Sequence, residues 1–229
     1  GEGEHKDISE KLEELDLHKM ELYLEEEKYA EAIREAKKIL AKNPENVEVQ
    51  YNLALAFEKR KLYKEAIQYY EDLMKIQPDY LDIKSRVRKL HLAKAEKFYQ
   101  MGSYKDALED YKNVLKFEPD NIEINFKLGN CYLNLDEYDK AMEILRLNVI
   151  KDTNNKQYHN LLGLIYTKKN MYDEAIREFQ KAIDLDKKYA EAYNNLGLVY
   201  IKKGMYADAM NEFKTAVKID PTIEIKFKG

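Results

Sequence analysis

The sequence has no tryptophan, one cysteine, four prolines and eight glycines among 229 residues, and each shortage removes a class of structure. Cys131 has no second cysteine to pair with, so no intramolecular disulfide holds the fold and no oxidising compartment is required. With both helix breakers scarce, long helices and few loops are expected. No stretch approaches 18 consecutive apolar residues, so no direct membrane insertion is expected. Cations are not in surplus: a formal net charge of −4 leaves no excess of Lys and Arg to displace counterions from phosphate, which argues against a nucleic-acid partner. The four histidines, His5, His18, His91 and His159, are scattered without an H-E-x-x-H or paired cysteines, so neither a metal nor a cofactor is expected. No catalytic constellation stands out, and the expectation is a protein that is not an enzyme. The cytosol is the expected location, although a chain opening on Gly1 is also compatible with a removed export signal, which leaves the periplasm or another exported site open.

What is present is periodic. "YAEAYNNLGLVYIKKGMYADAMNEFKTAVKIDP" (189–221) matches "KQYHNLLGLIYTKKNMYDEAIREFQKAIDLDK" 34 residues earlier and "IEINFKLGNCYLNLDEYDKAMEILRLNVIKDT" 34 before that. Six copies begin at Glu13, Val47, Arg88, Ile122, Lys156 and Ala190, with a seven-residue interruption, "LDIKSRV", at 81–87. The columns have physical meaning. Ala32, Ala66, Ala107, Ala141, Ala175 and Ala209 share one position, where a methyl group lets two helices approach closely. Nine places earlier stand Tyr23, Phe57, Phe98, Tyr132, Tyr166 and Tyr200, and three places earlier Tyr29, Tyr63, Tyr104, Tyr138, Tyr172 and Tyr206. All four prolines close a repeat, Gly129, Gly163 and Gly197 share a small-residue position of the first helix, and Gly102 and Gly204 share the short turn. Each repeat therefore reads as helix, tight turn, helix, turn.

These columns resemble the tetratricopeptide repeat, with its 34-residue period and its small, aromatic and proline positions. Only the family's tryptophan is replaced, by Asp16, Gln50, His91, Asn125, His159 and Tyr193, so the two histidines there read as packing imidazoles. The resemblance implies an all-α, right-handed solenoid of stacked helical hairpins. It divides the chain into an extension (1–12), repeats 1–2 (13–80), the insertion (81–87), repeats 3–6 (88–223) and a truncated tail (224–229). It also implies a concave groove lined by the first helices, which holds a peptide or a helix of a partner protein. Its lining would include Tyr51, Leu55, Leu92, Tyr99, Phe126, Asn130, Leu133, Asn160, Leu164, Asn194, Asn195 and Leu198. The four asparagines each offer a donor and an acceptor, suited to the backbone of an extended ligand. The clamp by which chaperone adaptors of the family grip a C-terminal carboxylate would fall on Leu17, Glu21, Asn52, Lys89 and Ala93. Two of the five positions match, which disfavours a chaperone tail as ligand. The reading that follows is a non-catalytic scaffold for a protein partner; the alternatives, in order, are an exported or periplasmic assembly or secretion adaptor and a regulatory module of a larger enzyme.

Two irregularities carry expectations of their own. The insertion should run in phase into the next helix, giving one helix from about Leu81 to Met101 that projects past its neighbours. Its cations would be solvated and paired with Glu71 and Asp72, or alternatively Lys84, Arg86, Arg88 and Lys89 would form a docking patch. The tail "PTIEIKFKG" nearly repeats "PDNIEINFKLG" at 119–129, so the last hairpin should leave an apolar face open, shielded by self-association or by the tail folding back.

Overall fold

The computed structural model describes residues 2–151 and 154–225. Among them are twelve helices: α1 (Glu2–Glu25), α2 (Tyr29–Lys42), α3 (Val47–Lys59), α4 (Tyr63–Ile76), α5 (Ile83–Gln100), α6 (Tyr104–Phe117), α7 (Ile122–Asn134), α8 (Tyr138–Lys151), α9 (Lys156–Lys168), α10 (Tyr172–Leu185), α11 (Ala190–Lys202) and α12 (Tyr206–Ile219). Four first helices begin on the residues the repeat pattern picks, Val47, Ile122, Lys156 and Ala190. The stretch read as an N-terminal extension is helical from Glu2 and continues into α1.

Every first helix ends by the same device. The N–H groups of Lys28, Leu62, Ser103, Glu137, Met171 and Met205 bond back to the carbonyls of Tyr23, Phe57, Phe98, Tyr132, Tyr166 and Tyr200 at 2.8–3.0 Å. The residue just before each donor is left-handed: Glu27, Lys61, Gly102, Asp136, Asn170 and Gly204 have φ between +59° and +74°. This is the C-terminal motif that closes helices on a left-handed residue. The aromatic column thus supplies both a wedging ring and the carbonyl that turns the chain. At the other end, the side-chain oxygens of Asn46, Asn121 and Asn155 cap α3, α7 and α9 by accepting from Val49, Ile124 and Gln157 at 3.0–3.1 Å. Thr222 stands where Asn121 stands in the matching stretch, but its hydroxyl turns to Asp220 at 2.7 Å and residues 223–225 form no helix. Phe227, the last apolar residue of the tail motif, lies outside the described residues.

Packing follows the small-residue columns. All six column alanines are at most 1% exposed. A Cβ on Gly163 would lie 2.5 Å from the Phe179 ring and one on Gly197 2.6 Å from that of Phe213, so these glycines let the rings of the second helix lie against the first. Cys131 is buried. Contacts divide the chain inside α5 into an N-terminal unit (Gly1–Lys97) and a C-terminal unit (Phe98–Gly229). In the first, α1 packs on α2, α2 on α3 and α3 on α4; in the second, each helix from α6 to α12 packs on the next.

The insertion does run in phase into the next helix: α5 begins at Ile83, just after Leu81 at φ +47°, but the added turns do not project as a solvated basic rod. Ile83 and Val87 are both 0% exposed and Leu90 5%; at i, i+4 and i+7 they form one buried apolar stripe.

Candidate functional site

In the N-terminal unit the expected lining residue Tyr51 is committed elsewhere. It is buried, its hydroxyl donates to Asp82 Oδ1 at 2.6 Å, and it accepts from Arg86 Nε at 2.9 Å. The Arg86 guanidinium also donates to both oxygens of Glu58 at 3.0 and 3.1 Å, and the Tyr70 hydroxyl donates to the same carboxylate at 2.9 Å. Burial, reinforced by the Asp82 hydrogen bond, pushes Tyr51 up to about 12. Burial and then the Glu58 charge raise Tyr70 as well. Burial opposes ionisation of Asp82, but the bonds from Tyr51 and Arg86 prevail and hold it below the usual carboxylate range. Leu55 and Leu92 are half-buried.

The basic patch is correspondingly reduced. Arg86 points inward, Lys84 is exposed but bonded to Asp79 at 2.6 Å, Arg88 is half-buried and Lys89 is exposed. The carboxylates expected to face these cations have other partners: Glu71 meets His91 at 3.4 Å and Asp72 meets Lys75 at 2.6 Å. A charge pattern alone does not tell an inward-facing arginine from a solvated one.

In the C-terminal unit the first helices lie side by side. α7 contacts α9 and α9 contacts α11; the Phe126 and Tyr158 rings sit 5.2 Å apart, and the Tyr158 hydroxyl donates to the Ile122 carbonyl at 3.0 Å. The expected lining residues Phe126, Asn130, Leu133, Leu164, Asn194 and Leu198 are half-buried on these helices. An open pocket of ≈ 280 Å³ beside them is lined by Ile122, Glu123, Phe126, Asn155, Gln157 and Tyr158. Tyr99, also half-buried, packs edge-on to Tyr104 and Tyr111.

The asparagines divide into two kinds. Asn160 and Asn195 are buried and joined in one chain of bonds: Asn195 Nδ2 donates to Asn160 Oδ1 at 3.0 Å, and Asn160 Nδ2 donates to Glu191 Oε1 at 3.0 Å. They join α9 to α11 and are not open to a ligand, which corrects the reading of four ligand-facing amides. Asn130 Nδ2 reaches its own helix's Phe126 carbonyl at 3.4 Å, a long bond that a ligand can replace. Asn194 keeps a shielded Oδ1 with no hydrogen-bond partner among the described residues.

The two tryptophan-column histidines are buried, and each has a carboxylate partner rather than apolar packing alone. His159 Nδ1 lies 2.7 Å from Glu178 Oε2, and Lys181 reaches the other oxygen at 2.8 Å. Burial would push Glu178 up, yet the bonds from His159 and Lys181 outweigh it and hold the carboxyl below its usual range. The stability this carboxylate contributes is therefore fully present above the unfolded glutamate value of about 4.3 and is lost as pH falls through the lower folded value. Thermal melts between neutrality and acid should show the C-terminal unit weakening below that point, with a shallower decline in Glu178→Gln. An unchanged slope in the variant would remove Glu178 from the acid response.

Among the described residues no group of His, Cys, Asp and Glu could hold a metal ion, and no helix is long and apolar enough to cross a membrane. Four models of the tetratricopeptide repeat match the sequence, at residues 21–80, 98–165, 163–204 and 190–223. No curated protein matches it. Solved structures do: MamA 41-end from Desulfovibrio magneticus RS-1 superimposes with a TM-score of 0.57 at 20% identity, over 79% of this chain and 98% of that one. YrrB, described as a TPR protein with an unusual peptide-binding site, gives 0.56 at 19% identity over 82% and 93%. A crystal structure of MamA gives 0.55 at 23% identity over 74% and 95%. At such identities the likeness is one of fold.

Proposed function

Since the chain belongs to the tetratricopeptide repeat family, we propose that it is a non-catalytic interaction scaffold whose C-terminal unit holds a segment of a partner protein on the first helices α7, α9 and α11. The observation that carries this reading is the row of half-buried Phe126, Leu133, Leu164 and Leu198 interleaved with the amides of Asn130 and Asn194. Apolar groups left partly in water side by side, with a few convergent hydrogen-bonding groups, are what a peptide site needs. Asn130 supplies amide chemistry for a peptide backbone, and the pocket beside Phe126 accepts one apolar side chain. The peptide site named for YrrB, a protein of like fold, agrees with this use.

Selection of binders from a random peptide display library, followed by titration of one binder, tests the proposal. The triple variant Phe126→Ala, Asn130→Ala, Leu133→Ala should bind more than tenfold more weakly with its helical content kept. Asn160→Ala should instead lower stability, because it strands Asn195 and Glu191. Undiminished binding by the triple variant would place the site elsewhere.

A further inference from the structure

The pocket beside Phe126 holds more chemistry than an apolar wall. Two rings line it, Phe126 and Tyr158, 5.2 Å apart between centroids, and so does the carboxylate of Glu123, whose side chain is 76% exposed. Among the described residues Glu123 is paired with Lys127, one turn along α7, whose ammonium lies 3.6 Å from Oε1 and is not part of the pocket lining. Exposed pairs of this kind hold little energy, and the second oxygen, Oε2, is left for a ligand. Gln157, exposed at the same pocket, adds an amide oxygen as a further acceptor.

The N-terminal unit shows what a cluster of this composition holds. Tyr51 stands at the repeat position of Phe126, and Tyr80 packs on it at 5.6 Å as Tyr158 packs on Phe126. The Arg86 guanidinium lies over the Tyr51 ring, 5.7 Å from its centroid, and bonds at the same time to the Asp82 and Glu58 carboxylates. A second instance uses an ammonium: Lys156 sits 4.9 Å from the Tyr189 centroid and bonds to Asp186. In both, one cation is shared between a ring face, which attracts it through the ring quadrupole, and a carboxylate oxygen, which attracts it by charge. Leu133 replaces Glu58 at the matching place on α7, so the cluster beside Phe126 offers one carboxylate where Arg86 has two, and a cation seated there exchanges more readily.

We infer that Phe126, Tyr158 and Glu123 form an arginine subsite, into which the partner segment places one arginine with its stem along the rings and its guanidinium donating to Glu123 Oε2. The inference rests on the reading of the C-terminal unit as a peptide site and adds which residue that peptide carries. A purely apolar side chain would satisfy the rings alone, whereas the methylenes of arginine cover them and its head also meets the carboxylate. Guanidinium suits the place better than ammonium, because it is planar and weakly hydrated and can lie on a ring while its edge N–H groups reach Glu123 and Gln157 together.

The random-library selection described above supplies the probe: peptides that wild type binds and the triple variant does not. These should share an arginine at one position. Replacing it with methionine should weaken binding to wild type about tenfold, the combined effect of the ring and the carboxylate, and should cost much less with Glu123→Lys. Selection repeated on Glu123→Lys, checked for unchanged helical content, should exchange that arginine for aspartate or glutamate. Peptides lost by the triple variant in which no cation recurs overturn the arginine subsite and leave the peptide site standing. So does an arginine whose replacement costs as much in Glu123→Lys as in wild type. A library that yields no peptide sensitive to the triple variant overturns the subsite together with the reading it rests on.

Discussion

Phe179→Ala is expected to destabilise the C-terminal unit by about 3–5 kcal/mol, the usual penalty for deleting a fully buried ring. The ring is 0% exposed in a cluster with Ala175, Ala182, Ala192, Leu196 and Val199. Its partner across the hairpin is Gly163, where an added Cβ would lie 2.5 Å from the ring. Gly163→Ala should therefore cost about 1–3 kcal/mol by overpacking, although alanine in a helix interior is intrinsically favoured by about 1 kcal/mol. In the Phe179→Ala background the same alanine should become neutral or stabilising, because the obstacle is gone and the propensity gain remains. Stacked repeats need not unfold in one step, so the four proteins are best compared by hydrogen exchange of α9 and α10 amides. Additive effects would mean that the glycine does not exist to seat this ring.

The second large effect is expected at Arg86. Removing one member of a buried ion pair typically costs about 3–5 kcal/mol. The Arg86 and Glu58 side chains are 25% and 24% exposed, which reduces the expectation for Arg86→Met to about 2–3 kcal/mol. The loss has identifiable parts: Glu58 keeps the Tyr70 hydroxyl and Asp82 that of Tyr51, but both carboxylates lose the guanidinium. Arg86→Lys should recover little, since one ammonium cannot reproduce the fork that reaches Tyr51, Asp82 and Glu58 together. With Glu58→Gln already in place, Arg86→Met should cost distinctly less, because the charge left behind is smaller. Denaturant melts of these variants measure each value, and a full rescue by lysine would reduce the network to a point charge.

The alanine, glycine and aromatic columns were readable because each repeat presents the same packing problem, and six copies make the solution visible. The turn device was half-readable: Gly102 and Gly204 mark it, but Glu27, Lys61, Asp136 and Asn170 take the same left-handed conformation without a telling side chain. In the insertion the in-phase helix was legible but its burial was not: cations dominate the stretch, while Ile83, Val87 and Leu90, spaced i, i+4 and i+7, form a buried stripe. The amides were misjudged for another reason. Asn160 and Asn195 lie 35 residues apart, one more than the period, so the bond between them crosses two columns, whereas each column by itself lines up only equivalent residues.

Side-chain NMR of the C-terminal unit within the whole chain, with and without a bound peptide, bears most directly on the proposed scaffold role. Saturating peptide should shift the Asn130 and Asn194 side-chain amides and the methyls of Leu133, Leu164 and Leu198, while leaving the mutually bonded Asn160 and Asn195 amides nearly unmoved. Shifts confined to the second helices α8, α10 and α12, with the α7, α9 and α11 groups unchanged, would contradict it.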